Sequence, residues 1–488
     1  MKLINFFIVT IITISFLFLN SSNNVVGVEI CTFALLFFNI IFSFKDIKRR
    51  FIFFAFQITF LVFLLGQNFA SLLATSDGVF IKSIEEEFSI QTQLHIYKLL
   101  FISLLGVFLG YALNEDNKIK QRKILFDTSS VYITKMRLYS KRFMYFFSLF
   151  AFAVVIEKAI FVQATGYVEY YTTFKSFLPG FFYKFETLYE VSLYLFLATF
   201  PRWKECRLPL MIYFSIGLIS LGFGQRNGFV LNMLFIAVYF SIRHLYKVYG
   251  NTEVWINKKR LIFIFIAIPF LLFFLYNFGS TRVNEKSEKH GNAINNTLAF
   301  FEQQGGSVRI IGYEKDFNDR NLFPKDVPPY TFGHLIDLYQ QNAFFKAFNV
   351  YPSYKPQSIE LAMKGHSFGD TITFLYDHKY YFAGLGLGSC YIAEVHHDFG
   401  IIGVFLINLI YGYLFALIYK SAIKNVWSLF FSFLILMNLL YAPRASALLF
   451  INILLSPSFV VFITFFVLLL RKYKKRSNLT QSHICYNE

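Results

Sequence analysis

A chain of 488 residues that is 56% hydrophobic and only 15% charged cannot hide its apolar surface in a soluble fold, where charged residues make up about 25%. Its mean hydropathy of +0.51 says the same. The net charge of +17 invites a nucleic-acid reading, but the Lys and Arg residues fall mostly in alternate loops between apolar runs, which membrane topology explains without nucleic acid. The 67 Phe and 31 Tyr residues accompany abundant Ile, Lys and Asn, and so read first as the codon bias of an AT-rich genome rather than as sugar-stacking rings.

The N-terminal stretch Lys2 to Asn20 has the charged start and apolar run of a signal peptide. No small-residue cleavage site follows and another apolar run begins at Val25, so it is read as a retained first helix. Runs of about 20 apolar residues predict membrane spans near 3–20, 25–44, 51–74, 96–113, 144–164, 182–200, 209–224, 229–246, 261–279, 399–419, 426–441 and 447–470. Basic clusters at Lys45–Arg50 and Lys118–Arg142, the loops Arg202–Arg207 and Lys258–Arg260, and the tail Arg471–Arg476 alternate with uncharged or acidic loops such as 76–95. The clusters, and with them both termini, are therefore expected on the cytoplasmic side of the membrane. The expected architecture is an all-α polytopic membrane protein of about twelve transmembrane helices. Helices 1–9 occupy 1–279, a large extracytoplasmic loop domain 280–398, helices 10–12 residues 399–470, and a basic tail 471–488.

Cys31, Cys206, Cys390 and Cys485 are too scattered for a disulfide framework or a CxxC metal site. Four arginines fall where topology gives no reason for positive charge: Arg226 in the turn Gly224-Gln225-Arg226-Asn227-Gly228, Arg282 after the ninth span, Arg309 in the long loop, and Arg444 in Tyr441-Ala442-Pro443-Arg444. A guanidinium offers a planar fork of donors that suits a phosphate, and several together can stabilise a pyrophosphate leaving group without a metal. The alternative is snorkelling toward lipid headgroups.

The run Gly384-Leu385-Gly386-Leu387-Gly388-Ser389 is not a dinucleotide fingerprint, since no strand precedes it and no suitable acidic residue follows about 20 positions on. Its glycines permit a tight backbone beside a ligand or a return of the loop against the bundle. Next come Glu394, His396, His397 and Asp398. A carboxylate or imidazole here could take a proton from a sugar hydroxyl, with Glu394 the first choice of base; the alternative is a hydrated helix start with an Asp cap. His396 and His397 are not expected to share a metal, because adjacent helical residues point about 100° apart. His334, His366, Asp370 and His378 are further loop candidates, and Glu157, Lys158, Lys184, Glu186 and Glu190 are ionisable groups within expected spans that either line a wet cavity or pair with each other.

With its long loop between late helices, the turn at 224–228, and the stretch from Gly386 to Glu394 leading into Asp398-Phe399-Gly400-Ile401-Ile402-Gly403, the sequence resembles the Wzy-type O-antigen and capsule polymerases. The resemblance implies a GT-C-like membrane glycosyltransferase. It would polymerise undecaprenyl-diphosphate-linked oligosaccharide repeat units at the outer face of the cytoplasmic membrane, with arginines on the diphosphate and no obligatory metal or other cofactor. Membrane lipids and a chain-length regulator protein are the further partners it implies. O-antigen ligases share the large loop, but the ligase pattern of His followed by Gly-x-x-Gly-Thr-Thr is missing here. Flippases generally lack so long an outer loop.

Overall fold

The computed structural model describes residues 2–73, 84–115, 128–224, 226–245, 293–340 and 354–484. These residues form helices and turns, with no strand among them. In chain order the longer helices begin with α1 (Lys2–Ser21), α2 (Val25–Phe44), α3 (Ile47–Phe60), α4 (Gly66–Leu73) and α5 (Ile90–Asn114). Next are α6 (Val131–Thr165), α7 (Phe181–Ala198), α8 (Trp203–Ser220), α9 (Arg226–Leu245), α10 (Ala293–Gly305) and α11 (Val308–Asp319). The last are α12 (Phe368–Tyr376), α13 (Tyr391–Lys424), α14 (Val426–Tyr441), α15 (Leu449–Leu455) and α16 (Pro457–Ile484).

Side-chain caps start several of them: the side chain of Asn24 accepts from Gly27 N at 2.9 Å, Ser89 from Thr92 N at 3.3 Å and Ser130 from Ile133 N at 3.3 Å. One π-helical turn, Leu61–Leu65, joins α3 to α4. Inside α13 the backbone breaks at Gly400, with φ 62° and ψ −161°, a conformation that essentially only glycine adopts.

Among the described residues eight helices are long and apolar enough to cross a membrane, and a ninth is formed if the bent pair α15 and α16 counts as one. The expected spans at 182–200 and 229–246 are helical, as α7 and α9, but stand outside that set. In α7 the reason is chemical: Lys184, Glu186 and Glu190 interrupt its apolar surface. The expected span at 261–279 lies outside the described residues. The described residues are thus those of an all-helical integral membrane protein and supply eight or nine candidate spans.

The chain divides into two compact units. The first joins Met1–Glu115 to Ile262–Leu417 and Asn438–Leu449; the described part of the long loop folds within it. On one side of this unit Arg50 is buried in a bidentate pair with Glu115, at 2.6 and 3.1 Å, and lies over the ring of Phe42. Its core also holds a close helix crossing. A Cβ at Gly110 of α5 would sit 2.0 Å from the Leu409 carbonyl oxygen of α13, and one at Gly412 would sit 2.1 Å from the Val107 carbonyl oxygen. Gly106 and Gly110 form a G-x-x-x-G step, the small-residue device by which membrane helices bring their backbones together. Gly110→Leu must push the two backbones apart, an overpacking that costs at least about 1–3 kcal/mol. The expected result is a several-fold loss of membrane-integrated protein on quantitative immunoblots, whereas Leu113→Ala on an exposed position of α5 should accumulate normally.

The second unit comprises Asp116–Leu261, Ile418–Met437 and Phe450–Glu488. Here α6 and α7 zip along a seam of rings, Phe147 and Phe150 meeting Phe185 at centroid distances of 5.3 and 4.9 Å. The Glu157 carboxylate accepts from Ser176 Oγ, the Phe177 and Leu178 amides and Tyr183 Oη, at 2.8 to 3.3 Å. Lys158 lies 3.7 Å from Glu186. Of the two readings of these intramembrane charges, mutual pairing holds for Lys158 with Glu186, while Glu157 is met by neutral donors.

Candidate functional site

The chemistry-bearing residues of the first unit gather around one backbone crossing. Gly305, at the end of α10, lies so close to α4 that a Cβ there would come within 2.2 Å of the Gln67 amide nitrogen. That contact brings Gln67, Gln304 and the start of α11 together, and two of the expected arginines attach to it. Arg444, at the end of a single 3-10 turn after α14, donates through Nη1 to the carbonyl oxygen of Gln304 at 3.2 Å and to its side-chain Oε1 at 3.1 Å. Its guanidinium stands 5.8 Å from the centroid of Phe63, which lies on the π-helical turn. Arg309 donates through Nε to Gln67 Oε1 at 3.2 Å, and the same nitrogen is 3.2 Å from a carboxylate oxygen of Glu87.

These two arginines differ electrostatically. Arg309 is already compensated by Glu87, which also accepts from Tyr313 Oη. Arg444 is held by neutral oxygens, and among the described residues no carboxylate pairs with it. No carboxylate among the described residues neutralises its formal charge, which suits it to an anionic ligand.

The stretch after the Gly-rich run fixes the Arg444 turn from behind. Glu394 is fully buried. Its Oε1 accepts from Ser389 Oγ at 2.6 Å and Ser446 Oγ at 2.5 Å, and its Oε2 accepts from the Ala447 amide at 2.9 Å. Tyr411 Oη adds a 2.5 Å bond to the Ala447 carbonyl. One carboxylate thus ties the Gly-rich run to the residues immediately following Arg444. Gly384 and Gly388 have φ of 77° and 83°, and the Leu387 amide donates to Thr373 Oγ1 of α12 at 3.1 Å. The glycines here return the loop against packed helices.

Burial of Cys390 beside this tie pushes its thiol up to about 12, so it is an inert packing residue. The other acid–base candidates separate. Asp398 Oδ2 accepts from the Thr331 amide at 2.7 Å and its hydroxyl at 2.6 Å, binding the loop to the start of α13. His397 sits among rings, with Phe323 at 4.3 Å, Tyr330 at 5.4 Å and Phe368 at 6.2 Å. His396 points elsewhere, its Nδ1 3.0 Å from Glu314 Oε2 of α11. The two histidines do diverge as adjacent helical residues must.

In the loop, burial lowers the imidazoles of His334 and His366 and raises the carboxyls of Asp337 and Asp370. His366 Nε2 is 2.8 Å from Gln340 Nε2, and His378 packs its ring 4.1 Å from Phe374. Arg226 opens α9 in the second unit after Gly224, which turns with φ 81°; only its backbone is described. Arg282 lies outside the described residues.

Sequence reasoning missed Gln67, Gln304, Glu314 and His95. Glu314 was detectable as an ionisable group beside Ile310, Ile311 and Phe317 on its helical face, but nothing local pairs positions so far apart in the chain.

No curated protein and no solved structure matches the chain. A family model described as O-antigen polysaccharide polymerase Wzy does match, over residues 3–477. Nearly the whole chain is covered, helices, arginine turn and glutamate tie included, and the protein belongs to the O-antigen polysaccharide polymerase Wzy family.

Proposed function

We propose that this polymerase is a glycosyltransferase of the outer face of the bacterial cytoplasmic membrane. It moves the growing glycan from undecaprenyl diphosphate onto the next undecaprenyl-diphosphate-linked repeat unit, making O-antigen or capsular polysaccharide. The observation that carries the diphosphate contact is Arg444, anchored by neutral acceptors and left without a carboxylate among the described residues. As the anomeric bond breaks, negative charge gathers on the leaving diphosphate. A preorganised guanidinium lowers that barrier without reorganising at the moment of reaction. Arg309 is the second contact and must exchange Glu87 for phosphate. Arg226 and Arg282 are assigned to the same diphosphate by residue type and by their expected place on the outer face.

Glu394 has a different task from the one its position in the sequence suggests. A general base must reach the proton it removes, and Glu394 is buried with both oxygens occupied. It is a positioning residue that holds the Arg444 turn. A chain-length regulator is the expected protein partner.

The test is genetic. A strain lacking the gene should display glycan of a single repeat unit on a gel, and the full ladder should return with a plasmid copy. Complete loss of surface glycan would point instead to ligation or flipping, and an unchanged ladder would exclude the polymerase role.

A further inference from the structure

Three helices of the first unit direct three metal-ligating side chains at one point. Glu314 of α11 is fully buried. Its Oε2 is 3.0 Å from His396 Nδ1 of α13 and 3.9 Å from His95 Nε2 of α5. The two imidazole rings stand edge to face, 4.6 Å between centroids. One ligand atom from each residue fits within a 4.8 Å group.

As hydrogen-bonding partners these residues are badly satisfied. Glu314 Oε1 and His95 Nε2 are buried and accept or donate no hydrogen bond. No Lys or Arg pairs with the Glu314 carboxylate among the described residues; Lys315, next along the chain, is engaged by Asp319. A buried carboxylate that lacks a cation is costly, and so is each orphaned polar atom.

The spacing matches that of metal ligands. Ligands about 2.1 Å from a tetrahedral zinc ion lie about 3.4 Å from one another, and the separations of 3.0 and 3.9 Å bracket that value. Two histidines and one glutamate form a known ligand set for zinc, with the fourth position left to water or a substrate oxygen. The side chains of His95 and His396 keep 13% and 14% of their surface exposed, while Glu314 is fully buried.

We propose that His95, Glu314 and His396 bind one divalent transition-metal cation of the zinc class. The ion neutralises Glu314, engages the orphaned nitrogen of His95, and fastens α5, α11 and α13 together. Adjacent His396 and His397 could not do this, whereas one of them can with partners from 301 and 82 positions away.

The inference stands apart from the polymerase reading, and its test reads metal rather than glycan. The full chain is purified in detergent through a tag without histidines, stripped by chelator and titrated with Co2+ alone. The expected result is one equivalent of cobalt with the visible d–d absorption of a low-coordinate site, displaced by Zn2+. Glu314→Gln and His95→Gln should each weaken binding by more than the roughly 10- to 100-fold typical of an outer-shell change. His378→Gln, on a loop residue away from the cluster, should bind as the parent does. Absence of those bands in the unmutated protein overturns the proposal whether or not the variants fold. So does undiminished cobalt uptake by Glu314→Gln and His95→Gln.

Discussion

Arg444→Ala is expected to abolish long chains, leaving the surface glycan at one or a few repeat units while the protein accumulates at its normal level. Removing one preorganised donor from a developing oxyanion typically lowers a rate on the order of 100-fold. Chain length amplifies that loss, because each extension must outrun release of the chain. Arg444→Lys should restore short ladders only: the ammonium keeps the charge but lacks the planar fork of donors that suits a phosphate. Arg309→Ala should cost less, since Arg309 already spends its charge on Glu87. Gel profiles of the three variants at matched protein level check the order. A full ladder from Arg444→Ala would remove this residue from the diphosphate contact.

Glu394 gives the second large effect, with a pattern that separates support from proton transfer. Glu394→Ala leaves the Ser389 and Ser446 hydroxyls and the Ala447 amide without their acceptor in a buried place. An unsatisfied buried group costs about 1–3 kcal/mol, so the turn carrying Arg444 should loosen and chain growth should stop. Glu394→Gln is different. Its amide can flip so that the oxygen accepts from Ala447 N while the NH2 group donates to the two serines, whose hydroxyls can turn to accept. A positioning role therefore predicts a substantial ladder from Glu394→Gln and none from Glu394→Ala. A general base predicts none from either. Glu394→Gln that makes only single repeats, with normal melting and normal protein level, would restore the catalytic role.

Much of the helical pattern was legible in the sequence because lipid imposes a length and a composition on each span. The runs at 25–44 and 426–441 match α2 and α14 almost residue for residue. Legibility fell where polar chemistry entered a helix. Three charges in α7 blur its reading as a span, and the G-x-x-x-G step in α5 looks like any other apolar sequence until Gly412 is seen against it.

The site was legible by residue type and not by partnership. Arg309 and Arg444 could be singled out because positive charge there has no topological excuse. That both settle at the crossing of Gly305 over Gln67 depends on contacts between positions more than 100 residues apart. The same limit hides the surroundings of Glu394: its neighbours in sequence advertise solvent, while its partners Ser446 and Ala447 come from another helix connection.

The break at Gly400 has a mechanical consequence for all of this. In an unbroken helix Glu394 would lie directly above Ile401, two turns on, and its direction would be dictated by whichever face the membrane segment turns to lipid. One glycine peptide acts as a clutch between two shafts. Below it, the helix is free to rotate into the phase that suits hydrocarbon. Above it, Glu394 and His396 keep the phase that suits Ser446 and Glu314, so a single residue without a side chain lets one helix answer to two solvents.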